Sequence, residues 1–281
     1  MAFLRYLRRN KRLAAGIAIL LFLFLFATVG RLIAPPQNAY PLAVPANLAP
    51  TWKYPFGTDS QGRDLLATTV MGTYLTVRIG FIAGLIGLSV GTVLGFIAAY
   101  YGGILDTFIR WIVDVLLTVP GLLVLVVIAA TLQRTLDPNS MSGVLALLAW
   151  MSPTRTIRSQ VLTMRERAFV RVAKLSGENS LEIIFKELLP NLLPYLGASL
   201  VGAVTGAIFA SLGLEQLGLG PMREPTLGMT IFWVQYYGAF VRGMWWWILA
   251  PISVIVLIFM GLFFLSSGLD EFANPRVRRV V

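Results

Sequence analysis

The chain has 281 residues, 57% of them hydrophobic and 13% charged, where a soluble domain carries about 25% charged residues. Lys and Arg number 23 against 13 acidic residues, a formal net charge of +10, and these charges bracket apolar runs, which suits lipid headgroups better than nucleic acid. There is no Cys and no His, which excludes thiol chemistry, disulfide staples, thiolate or imidazole metal ligands and a histidine proton relay.

A basic stretch, Arg5, Arg8, Arg9, Lys11 and Arg12, precedes the first apolar run, Leu13–Leu32. That run is longer than the roughly 7–15 residues of a signal-peptide core, and no small-x-small cleavage site follows, so an uncleaved membrane helix is expected. Arg31, near its far end, is placed to snorkel to the interface. Residues 35–64 change character. Pro35, Pro36, Pro41, Pro45, Pro50 and Pro55 exclude a regular helix, and the segment ends in GTDSQGRD, Gly57–Asp64, whose glycines and capping Asp are turn chemistry.

Further spans are expected at Thr76–Tyr100, Phe108–Leu132, Leu192–Leu214 and Trp245–Leu265, with a weaker one over Gly143–Leu162 that Pro153, Arg155 and Arg158 interrupt. The first of these carries Gly80, Gly84, Gly87, Gly91 and Gly95, a small-residue face that permits close helix approach. Trp245–Trp247 reads as an aromatic belt at the outer interface. The chain thus divides into a cytoplasmic N-terminus and first helix (1–34), an extracytoplasmic Pro-rich loop (35–75), a five-helix core (76–268) and a cytoplasmic tail (269–281). With the N-terminus inside, 16 of the 23 Lys and Arg fall in inside segments and 5 in outside ones, so both termini are expected in the cytoplasm.

There is no P-loop, H-E-x-x-H, G-x-S-x-G or EF-hand pattern, so an enzyme reading has no support. An ion-coupled secondary carrier of small solutes, the alternative function, needs ionisable groups at bilayer depth. The clear apolar spans, leaving aside the weaker Gly143–Leu162, offer only Arg31, Arg78, Arg110 and Asp114, all within a few turns of a span end. Asp106, Arg110 and Asp114 are spaced i, i+4, i+8, which stacks them on one helix face with Arg110 bridging two carboxylates. Charge compensation at a helix entry is one role for them, gating another.

The stretch Arg171–Pro194 lies between spans on the cytoplasmic side. Its first part is helical in propensity and stops at Gly177, a suitable C-terminal cap. Asn179 then opens a second short helix with Glu182 as capping-box partner. Ile183, Ile184, Phe185 and Leu188 give it an apolar side, fit for resting on lipid or for plugging into a soluble partner.

At these residues the sequence resembles the C-type permease subunits of the dipeptide/oligopeptide/nickel class of ABC transporters. GTDSQGRD resembles the family's GTDxxGRD motif. Asp106–Leu123 resembles its third-helix signature, and the stretch around Gly177 with LLPNLLP resembles its EAA loop. LGLEQLGLG with EPTLG resembles the LGLG region before the last span, and DEFANPRVRR the C-terminal ending. The EAA triplet falls on Arg171, Val172 and Ala173, so a basic residue stands where the family places an acidic one.

The resemblance implies an all-α integral membrane fold of six transmembrane helices with cytoplasmic coupling helices in the loop 169–190. It implies a multi-pass subunit of a bacterial or archaeal cell membrane, forming half of the path for oligopeptides or oligosaccharides. The implied partners are a homologous second permease, two ABC ATPase subunits that bind ATP and Mg, and an extracytoplasmic solute-binding protein. No cofactor is expected in this chain. The implied ATPase-coupling residues are Arg171, Val172, Ala173, Gly177, Glu182 and Pro190.

Overall fold

The computed structural model describes residues 10–132 and 136–273. Among them the secondary structure is helical apart from one isolated antiparallel bridge, Thr58 to Asp64. The helices are α1 (Lys11–Ile33), α2 (Leu65–Tyr101), α3 (Gly103–Thr118), α4 (Gly121–Thr131), α5 (Pro138–Ala149), α6 (Met151–Arg165), α7 (Ala168–Leu175), α8 (Ser180–Gln216), α9 (Leu227–Tyr236) and α10 (Trp245–Ala273). The basic residues expected inside at Arg5, Arg8, Arg9, Arg276, Arg278 and Arg279, and Arg134 outside, lie beyond the described residues.

Four helices, α1, α2, α8 and α10, are long and apolar enough to cross a bilayer, and α3 with α4 makes a fifth if the pair, bent by 85°, is one span. The sixth expected span, Gly143–Leu162, is not one apolar helix. It divides at Trp150 into α5, which is apolar, and α6, which carries Pro153, Arg155 and Arg158. Trp150 itself keeps right-handed helical angles, φ −82° and ψ −21°, so the two pieces follow each other with little change of course.

α2 is the centre of the bundle. Its 37 residues extend about 55 Å at 1.5 Å per residue, well beyond a hydrocarbon core of about 30 Å. Two polar contacts mark the excess. Arg78 donates to Asn139 Oδ1 at 2.8 Å, and Arg165 donates to the Ala99 carbonyl at 2.6 Å. The stretch between them is about 30 Å long. The helix begins well before Thr76 because Asp64 caps it, accepting from the Leu66 amide at 2.9 Å. Burial pushes the Asp64 carboxyl up from its ordinary value, against the pull of the amides it accepts from.

The glycine face of α2 takes two partners. Gly80 and Gly84 meet Ile208 and Val204, so α8 runs antiparallel to α2, while Gly87, Gly91 and Gly95 meet Ala149, Pro153 and Ile157, so α5 and α6 run parallel to it. A methyl on Gly84 would stand 2.7 Å from the Val204 nitrogen, and one on Gly87 2.5 Å from the Ala149 Cβ. Closeness of backbones is what these glycines supply. α1 and α10 pair antiparallel in the same way, Gly16 against Leu265 and Gly268 against Leu13, and Asn10 Nδ2 donates to Glu271 Oε2 at 2.8 Å.

Followed along the chain, these contacts place Asn10, Tyr101, α7 and Glu271 at one end of the bundle. Residues 36–64 and 218–245 form a cap at the other. The cap is compact. Asp59 is fully buried, pairs with Arg63 and accepts the Gln61 and Arg63 amides at 2.9 Å. Arg242 donates to Ser60 Oγ at 2.6 Å and Asn47 Oδ1 at 2.8 Å. The belt reading of the three tryptophans fails for two of them. Trp247 is fully buried, Trp246 donates to the Thr58 carbonyl at 3.3 Å, and only Trp245 is exposed. Trp246 packs on Gly57 of the GTDSQGRD turn, and Trp247 is buried among Leu65, Val234, Ala239 and Met244.

Candidate functional site

α7 lies at the end opposite the cap, joined to α6 by two residues. Val170 and Ala173 face inward and are buried with Ile157, Ile183 and Leu188. Arg171, Val172, Lys174 and Leu175 face outward, Val172 and Leu175 at 61% and 89% exposure. Of the EAA-like triplet, then, Arg171 and Val172 are turned outward and Ala173 anchors the helix from below. Gly177 ends it with φ +85°. The Glu178 amide donates to the Ala173 carbonyl at 3.2 Å and the Gly177 amide to Lys174 at 3.1 Å, the paired bonds of a Schellman cap. A Cβ on Gly177 would meet nothing within 4 Å, so backbone conformation, not crowding, asks for glycine here.

The expected capping box is present. The Glu182 amide donates to Asn179 Oδ1 and the Asn179 amide to Glu182 Oε2, both at 2.9 Å, and Lys186 reaches Glu182 at 3.1 Å. The second helix is not short, however. It runs unbroken from Ser180 to Gln216 as the span α8, through a π-helical stretch, Ile183–Leu188, in which the Leu189 amide bonds to Ile184. Pro190, exposed just beyond, has no N–H to give and would crowd the carbonyl four residues back, which a widened turn relieves. The joint therefore couples one surface helix directly to a membrane span.

The charged triplet is arranged differently from the expected ladder. Arg110 does not bridge the two carboxylates; it is exposed, and no ion pair to it occurs among the described residues. Asp106 instead receives both Nε and Nη2 of Arg158, the latter at 2.6 Å, and Asp114 lies 4.0 Å from Arg155. Helix-to-helix pairing wins because α6 packs beside α3 and brings two guanidinium groups of its own.

A cavity of about 530 Å³ opens between α3–α4, α5–α6 and α8. Leu117 and Leu122 line it on one side, Ser152, Thr156, Tyr195 and Ser199 on the others. Its described lining holds hydroxyls and apolar groups but no carboxylate or amine. It therefore offers hydrogen bonds from a few hydroxyls on a mainly apolar wall, without a fixed charge.

Glu215 is a residue that sequence reasoning missed. It is fully buried at the cap end of α8 and accepts from Ser211 Oγ and Thr226 Oγ at 2.7 Å and from the Met229 amide at 2.9 Å. Thr226 is the N-cap of α9, so this carboxylate ties the end of one helix to the start of the next. The signal was an acid set among leucines in LGLEQLGLG, just past the apolar run.

Residues 91–279 match the family described as binding-protein-dependent transport system inner membrane component. The chain is 31% identical to the dipeptide transport system permease protein DppC of Bacillus subtilis, over 98% of this chain and 85% of that one. It is 29% identical to DppC of Haemophilus influenzae, over 98% and 94%. It is 30% identical to the oligopeptide transport system permease protein OppC of Mycobacterium bovis, over 96% and 92%.

Proposed function

The chain belongs to the family of binding-protein-dependent transport system inner membrane components, and we propose that it forms one of two permease halves in an ATP-driven importer of short peptides. It is a multi-pass membrane protein and not an enzyme. The observation that carries the reading is the joint: a capped surface helix, α7, with an outward apolar and cationic face, hinged at Gly177 to a 37-residue span. Such a lever suits seating in a groove of an ATPase subunit on the cytoplasmic side. ATP-driven closure of two ATPases would then tilt α8 and reshape the cavity. Arg171 would meet a carboxylate in that groove.

On this reading both chain ends face the cytoplasm and the cap faces outward, towards a binding protein that selects the cargo. Short peptides are favoured over oligosaccharides because the compared relatives are named for dipeptides and oligopeptides. Two permeases enclose the path, two ATPase subunits hold ATP and Mg, and this chain binds no cofactor.

Gly177→Val tests the joint. Left-handed backbone costs a β-branched residue roughly 1–2 kcal/mol, while the spans are untouched. The variant should reach the membrane, retain its partner permease, pull down less ATPase and lose uptake. Wild-type uptake by Gly177→Val, or uptake by this chain reconstituted alone on an ion gradient without ATP, would overturn the reading in favour of a secondary carrier.

A further inference from the structure

α3 is a rod with a hinge at each end. Before it, Gly102 and Gly103 take φ +67° and +59°, and a Cβ on either would meet nothing within 4 Å. The glycines there serve a chain turn, not packing. After it, the chain breaks at Pro120 and α4 departs at 85°. Of its 16 residues only Val113 is buried, so apolar packing fastens α3 weakly. Charge fastens it instead, through Asp106 to Arg158 and Asp114 to Arg155.

The other side of these pairs is rigid. α6 sits against Gly91 and Gly95 of α2 and is pinned at its end by Arg165 on the Ala99 carbonyl. It leads into α7 after two residues. Leu117 of α3 and Ser152 and Thr156 of α6 line the same cavity, so the spacing between α3 and α6 sets its width.

Arg110 stands one turn from both Asp106 and Asp114 on α3 and is exposed. Asp106 therefore has two cations within reach of one carboxylate. Arg158 pairs with it across helices in this structure, and Arg110 would take its place along the helix once Arg158 withdrew. The side chains of Asp106 and Arg158 are 19% and 20% exposed. Water can reach both groups as they part, which spares the large penalty of isolating a buried charge.

We propose that Asp106 and Arg158 form a releasable clasp between α3 and the α6–α7 arm. Closed, it holds α3 against α6 and keeps the cavity narrow. Movement of α7 tilts α6, Asp106 exchanges Arg158 for Arg110, and α3 swings between its hinges to widen the cavity. Asp106, Arg110 and Arg158 are positioning residues, two alternative pairings of one carboxylate defining two arrangements of the helix. The proposal rests on the importer reading.

The test uses the whole complex, with its ATPase and binding-protein partners, in proteoliposomes. ATP-driven uptake by the unmodified complex is measured first, and its absence would sink the importer reading itself. The chain has no cysteine of its own, so Asp114→Cys with Arg155→Cys gives a clean pair between α3 and α6. Bridging it with a short reducible bis-thiol reagent should cut uptake at least tenfold, and reduction should restore it. Full uptake with the bridge formed would overturn the clasp. Asp106→Arg should lose uptake while ATP hydrolysis continues, and adding Arg158→Asp should recover at least half of it. An assembled double swap no better than the single variant would also overturn the proposal. Arg110→Ala should assemble normally yet transport several-fold more slowly, because the released pairing is gone. If the reduced double-cysteine protein is inactive, the charge swap decides; if Asp106→Arg does not assemble, the bridge decides.

Discussion

Removing the Glu215 carboxylate strands two donors, the hydroxyls of Ser211 and Thr226, and leaves the Met229 amide only its longer bond to Thr226 Oγ at 3.2 Å. An unmet buried donor costs about 1–3 kcal/mol. Glu215→Ala should therefore lower the melting temperature of the purified complex by a margin visible in any thermal scan, whereas Glu215→Gln, which keeps one acceptor oxygen, should lose less. Gly228→Ala should resemble the alanine variant, since its Cβ would stand 2.2 Å from Glu215 Oε2. Equal melting of Glu215→Ala and wild type would show that the cap is held by other means. Local residue roles were legible in the sequence where both partners lie within a few positions, as in the Asn179–Glu182 box and the Gly177 cap. Asp106 shows the limit. The i+4 spacing to Arg110 is real, but the cation it meets is 52 positions away, and no local rule weighs the two.

Helices differ in how much of their contact surface a sequence discloses. The glycine face of α2 announces itself by spacing, but which helix fills each notch does not. The structure gives Gly80 and Gly84 to α8 and the next three to α5 and α6. The consequence is a pair of substitutions with opposite signs. Gly84→Leu drives a side chain into the backbone of α8 and should destabilise by about 1–3 kcal/mol or more. Gly197→Ala, where a Cβ meets nothing within 4 Å in the same span, should be neutral or stabilise by about 0.5–1 kcal/mol. Melting of the two purified complexes, side by side, checks both. The weaker span was only faintly legible for a related reason. α6 is polar because it pairs with α3 and carries α7, so hydropathy alone registers it poorly. The tryptophan run was misread because the turn it meets is distant in sequence: Trp246 reaches the Thr58 carbonyl from 188 positions away.

At the scale of the whole molecule, the contacts group Asn10, α7 and Glu271 at one end and the cap at the other. Single cysteines near Ala46 and Gln235 should react with a membrane-impermeant thiol reagent in intact cells, and one at Ser176 should not. Labelling at Ser176 in sealed cells would invert the proposed orientation. The all-helical architecture was plain from composition and apolar runs. The number of crossings was not, since α3–α4 and α5–α6 are each broken, and a broken span dilutes the signal that a 20-residue window reads.

α2 has no proline in its 37 residues and touches both ends of the molecule: Thr76 accepts from the Leu227 amide in the cap, and Ala99 accepts from Arg165 beside α7. An unbroken helix that outreaches the hydrocarbon core would link the two faces of the membrane thermodynamically, whether or not a solute is passing between them. Linkage of this kind is reciprocal. If nucleotide on the ATPases changes the affinity of the cap for a loaded binding protein by some factor, the loaded binding protein must change nucleotide affinity by that same factor. Titrating each ligand in the presence and absence of the other should return one number twice.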